Sequence, residues 1–192
     1  MTTIKRNETD RVMVFIDIAN IEASLNENGK NGSTVDYKGL VEQIVGSRTL
    51  AAAYVFDACC GEDSRLRRMR RVTGNPGFRP VMLRYNPNKS EQKGVDMAMG
   101  LKMFDEASKD RFDTAVVVSG DADFIPAMEY VQAAGKMVET AAFSWSANDD
   151  IRSASDAYTV LDDLCIICLK ETHAHYTEGA TMHSAQKTRM VA

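Results

Sequence analysis

An α/β domain built on a mostly parallel sheet is what this sequence predicts, and three observations carry the prediction. Short apolar runs rich in β-branched residues recur, as in "VMVFI" at 12–16 and "TAVVV" at 114–118, the pattern of strands covered on both faces. Between the strands lie helical patterns long enough for right-handed crossovers. No composition shift or internal repeat divides the 192 residues, a length that a single core can fill. The expected form is one three-layer α/β/α domain over residues 12–170, after an N-terminal extension at 1–11. Residues 171–192 are small, polar and aperiodic, and read as a flexible tail.

Each element has its own signal. The strand Val12 to Ile16 leads into a helix from about Asn20 to Asn26, and the turn-rich "NENGKNGST" follows. The pattern "DYKGLVEQIVG" predicts a second helix, and Leu50 to Phe56 the next strand. "EDSRLRRMRRVTG" reads as a helix that stops at Gly74. A strand near Arg79 to Arg84 precedes the loop "YNPNKSEQKG" and the helix "VDMAMGLKMFDEAS". Then come the strand Thr114 to Val118, a helix from about Phe124 to Ala134, and the strand Met137 to Phe143. The chain closes with a short helix at Asp149 to Ser155, a brief strand near Tyr158, and a helix over "LDDLCIICLK".

Composition excludes several classes. A net charge of −4 gives no global attraction to nucleic acid, so such contact must come from a local basic patch. No apolar run approaches the roughly 18 residues needed to span a bilayer, and "MTTIKRNETDR" lacks the apolar segment of a secretory signal. A cytoplasmic protein is therefore expected. Its four cysteines, Cys59, Cys60, Cys165 and Cys168, read as small buried hydrophobes. His173, His175 and His183 fall in the tail.

In a parallel sheet, ligands gather beyond the carboxyl ends of the strands. Asp17 ends the first strand, Asp57 the second, and Asp121 and Asp123 follow "VVVSG", while Asp96 lies in the first turn of its helix. Each has an innocent reading; Asp123, for example, is placed to cap the helix from Phe124, with Pro126 tolerated in its first turn. Converging carboxylates raise one another's pKa and are costly unless a cation sits among them. Mg²⁺ takes oxygen ligands and keeps several waters. Such an ion polarises a phosphoryl oxygen and acidifies bound water, chemistry suited to phosphodiester hydrolysis.

Four motifs carry a family resemblance. "VFIDIANI" resembles the first motif of the NYN family of PIN-like nucleases, a strand ending in Asp with Asn three residues on. "KGVDMAMGLKMFDEA" is similar to the second, and "DTAVVVSGDADFIPAMEYVQAAGKMVE" to the third. "IRSASDAYTVLDDL" resembles the closing segment of the LabA-like branch. The resemblance spans roughly Val12 to Leu164. It implies a PIN-like, Rossmann-like fold and a metal-dependent ribonuclease, an endoribonuclease acting through Mg²⁺ or Mn²⁺ held by Asp17, Asp96 and Asp121. It places Asn20 at the ligand or scissile phosphate, Asp123 as a further acid, and Ser119 as a donor to Asp123 or to substrate. One position departs from the pattern: Ile18 stands where the family usually has Gly.

RNA, single-stranded or structured, is the expected partner. Arg84, Tyr85, Lys89 and Lys93 flank the loop before Asp96 and combine charge with an aromatic on which a base can stack. "RLRRMRR" at 65–71 is the second basic candidate. Homodimerisation stays open at this level. The alternative from another class is a weak or inactive NYN-fold module that binds RNA or a protein partner in a regulatory role. A haloacid-dehalogenase-like phosphatase would use Asp121-Ala122-Asp123, but Ile125 and Pro126 suit that chemistry poorly, and no G-x-G-x-x-G follows the first strand to bind a dinucleotide.

Overall fold

The computed structural model describes residues 8–30, 33–59, 74–84, 94–164 and 166–169. The Arg65 to Arg71 segment, Tyr85, Lys89, Lys93, Cys60, Cys165, the three histidines and the tail lie outside the described residues. Six strands form one parallel sheet: β1 (Arg11–Asp17), β3 (Thr49–Cys59), β4 (Phe78–Arg84), β5 (Thr114–Val118), β6 (Met137–Ala142) and β7 (Ala157–Val160), in the order β4-β3-β1-β5-β6-β7. The helices are α1 (Ile18–Glu27), α2 (Tyr37–Val45), α3 (Gly94–Ser108), α4 (Ile125–Ala133) and α5 (Asp149–Ala154).

Strand alternation divides the core in two. Val12, Val14 and Ile16 of β1 pack with Ile21 and Leu25 of α1 and with Leu40 and Ile44 of α2. Met13 and Phe15 face the other way, onto Met99 and Met103 of α3, Met128 of α4 and Ile151 of α5. Burying both faces explains why the central strands are continuously apolar rather than alternating. The three layers predicted from the sequence are present, and the strands from Thr114 and Met137 begin where the pattern places them.

Two local readings are corrected. "LDDLCIICLK" is no helix: a single 3-10 turn, Leu161–Asp163, gives way to strand β8, Ile167–Leu169. β8 pairs antiparallel with β2, Ser33–Val35, which arises from the stretch read only as turn. Ile166 is buried and Ile167 packs on the α1–α2 side of the core. A short apolar run has no periodicity that separates helix from strand, and here a pairing partner far away in sequence decides it.

Gly46 ends α2 at φ +60°, a left-handed geometry that favours glycine. Beyond it, Arg48 reaches the interior. Its guanidinium grips Glu139 of β6 through two hydrogen bonds (2.9 and 3.2 Å) and donates to the carbonyls of Ile44 and Val45. Both residues are buried, so the two-pronged geometry and the added carbonyls offset the desolvation of two charges.

Candidate metal centre

Sheet order creates the site. From β1 the chain builds outward through β3 to β4, then returns to β5 on the other side of β1. The reversal lies between β1 and β5, where a parallel sheet opens a crevice at its carboxyl edge. Asp17 ends β1 and Asp121 follows β5, so the two acids flank this switch point.

Local hydrogen bonds hold both acids there. Asp17 is the N-cap of α1, its Oδ1 accepting the Asn20 amide at 3.1 Å. Asp121 caps the 3-10 turn Ala122–Phe124, its Oδ1 accepting the Asp123 amide at 3.0 Å. The capping role read onto Asp123 therefore belongs to Asp121; α4 starts from Phe124 without a side-chain cap, with Pro126 in its first turn. Asn20 Oδ1 accepts the Gly120 amide at 3.0 Å, tying the start of α1 to the end of β5. Ser119, expected as a donor to Asp123 or to substrate, is fully buried, and its Oγ accepts the Asp121 amide at 3.3 Å. Gly120 is required for closeness: a Cβ there would lie 2.5 Å from the Ser146 carbonyl oxygen.

Asp17 lies on the same face of β1 as Met13 and Phe15, toward α3. Asp96 enters from the first turn of α3 on that side. Burial pushes the Asp17 carboxyl up to about 6, and the charges of Asp96 and Asp121 push in the same direction, against the pull of the Asn20 and Ala19 amides. Asp96 is also raised, by burial first and then by the charges of Asp121 and Asp123. The four acids thus share one field, and among the described residues no basic side chain offsets either shift. They do not form a closed cage: among the described residues, no group of three His, Cys, Asp or Glu side chains is drawn together tightly enough to hold an ion. The donor set fits a hard divalent cation in its chemistry, being all carboxylate oxygen. Mg²⁺ in particular is held by one or two carboxylates with several waters and needs no all-protein cage.

Asp57 does not join this set. It shares the β3 face of Ala53 and Val55, opposite Phe56, is 1% exposed, and its Oδ1 accepts the Ala58 amide. Ile18 is buried in the α1–α2 core, so the bulk that replaces the usual glycine is directed into packing. Arg84 ends the edge strand β4 at the same edge of the sheet as Asp17.

Two depressions meet at Asp123. A polar cleft of about 450 Å³ is bounded by Asn20, Glu27, Asp121, Asp123, Ser146 and Asn148. An apolar groove of about 660 Å³ runs between α3 and α4 and includes Asp96 and Asp123 at its lining. Glu27, Ser146 and Asn148 escaped the sequence reading. Asn148 caps α5 through its side chain and donates its amide to the Gly120 carbonyl; an Asn before an acidic first turn was its only signal.

The molecule is an α/β protein of PIN-like fold with an acidic crevice at the switch point of its sheet. The family model of the NYN domain matches residues 11–162, and the chain belongs to that family. The structure is similar to that of a protein of unknown function from Vibrio parahaemolyticus, with a TM-score of 0.70 and 18% identity over 83% of this chain and 98% of that one. At that identity the likeness bears on the fold. No curated protein matches the chain. Among the described residues no helix is long and apolar enough to cross a membrane.

Proposed function

We propose that the protein is a metal-dependent endoribonuclease of the LabA-like branch, hydrolysing RNA phosphodiesters at a Mg²⁺ or Mn²⁺ held among Asp17, Asp96 and Asp121 with water completing its shell. The observation that carries this reading is the buried Asp17 carboxyl, raised to about 6 with two further acids adding to the shift. An arrangement that disfavours its own charge is explained by a cation that restores it. When bound, the ion would polarise a phosphoryl oxygen and lower the pKa of an attacking water. Asn20 and Ser119 position the acids, Asn20 by joining α1 to Gly120 and Ser119 by holding the Asp121 amide. Asp123, exposed beside the cleft, is assigned as the further acid of the site. Arg84, Tyr85, Lys89 and Lys93 are assigned to the phosphate backbone and bases of RNA, in the cytoplasm.

The test is cleavage of mixed RNAs in Mg²⁺ or Mn²⁺ by the parent, Asp17→Asn and Asp121→Asn. Activity in the parent, lost by orders of magnitude in both variants, supports the enzyme. A second reading, an inactive module that binds RNA or a protein partner, is favoured by the open carboxylate set. RNA binding without cleavage in either metal would select it.

A further inference from the structure

The groove between α3 and α4 has no part in holding the acids, yet it opens directly from them. Met97, Leu101 and Phe104 recur along one face of α3 and are 65%, 61% and 46% exposed. Tyr130 of α4 is 67% exposed and meets Phe104 edge to face, with ring centroids 6.2 Å apart. Side chains of this size normally bury, and an exposed apolar patch marks a binding surface. Gly100 brings the helices together: a Cβ there would lie 3.1 Å from the Ala127 Cβ.

We infer that this groove is a nucleobase subsite, in which Phe104, Tyr130, Met97 and Leu101 receive unpaired bases of the strand whose phosphate lies at Asp96 and Asp123. The inference rests on the RNA reading above. Continuity decides the occupant. Asp123 borders both the polar cleft and the apolar groove, so a strand crossing the acids enters the cleft on one side and the groove on the other. The cleft offers amide and hydroxyl groups to sugars and base edges, through Asn20, Asn148 and Ser146. The groove offers rings and aliphatic side chains, which suit base faces and do not discriminate sequence. A protein segment lodged there would instead cover Asp96 and Asp123 and close the site.

The experiment measures binding of a short labelled single-stranded RNA, and of an abasic oligomer of the same length, in Ca²⁺. It compares the parent with a Phe104→Ala/Tyr130→Ala variant and follows the mass of both proteins by sedimentation. Both side chains are exposed, so the fold should survive, and a circular dichroism melt checks it. The expected result is a loss of about tenfold or more for the base-bearing RNA, with no change for the abasic oligomer. Equal affinities for the RNA, or equal losses for both oligomers, would overturn the subsite while leaving the nuclease reading intact. A parent dimer that becomes monomeric in the variant would make the groove an interface between copies, and would overturn it too. A parent that neither binds nor cleaves RNA would remove the functional reading itself, and the subsite with it.

Discussion

Replacing Asp17 with Asn should stabilise the metal-free protein at neutral pH, an unusual outcome for a buried helix cap. Asn keeps the capping geometry, since its amide oxygen can accept the Asn20 amide as Asp17 Oδ1 does at 3.1 Å. What disappears is a charge that the site disfavours. Raising the carboxyl from 3.8 to about 6 corresponds to about 3 kcal/mol, at about 1.4 kcal/mol per pH unit. The attraction of the carboxylate to the Asn20 and Ala19 amides is already contained in that net shift. The gain is about 3 kcal/mol, roughly 6–12 °C in melting temperature for a chain of this size. The sign fixes the pH window. A carboxyl that holds its proton more tightly when folded adds most stability below its unfolded value, loses it as pH rises, and shows its full penalty above about 6. Asp113 runs the other way: its hydrogen bond from Arg11 holds it at about 2, so its contribution declines only as pH falls below about 4. Thermal melts in EDTA at pH 4, 6 and 7.5 should show the variant's advantage growing with pH. In Mn²⁺ the parent should gain stability and the variant should not. A variant that melts lower than the parent at pH 7.5, or a difference independent of pH, would refute the argument and make Asp17 a structural cap.

Three further outcomes are expected. Arg48→Met leaves Glu139 buried without its guanidinium and should cost about 3–5 kcal/mol, read from urea denaturation. Gly120→Ala puts a methyl against the backbone of Ser146 and Ala147; overpacking should cost about 1–3 kcal/mol, and cleavage should fall further than stability because Asp121 is displaced. Changing Arg84, Lys89 and Lys93 together to Ala should flatten the salt dependence of RNA affinity by up to about two units of slope; an unchanged slope would move the phosphate path elsewhere.

Much of the architecture was legible because it is written in local periodicity. β5 runs from Thr114 to Val118 as its apolar pattern indicates, and α2 lies between Asp36 and Gly46, which its flanking residues mark as cap and stop. The acids could be picked out because strand ends in a parallel sheet point to one edge, and residue type and order locate those ends. The amino-acid sequence by itself thus determined the layers and the succession of the six strands in the main sheet. Tertiary structure alone decided how they are used. β8 is a strand because β2 offers it hydrogen bonds across most of the chain's length. Asp57 leaves the site because β3 turns it to the α1–α2 side, whereas β1 turns Asp17 to α3. Ser119 became a buried acceptor, and the α3–α4 groove formed where Gly100 meets Ala127. Periodicity acts between neighbours a few residues apart, but facing, pairing and shared electrostatic fields depend on groups brought together only when the sheet is assembled.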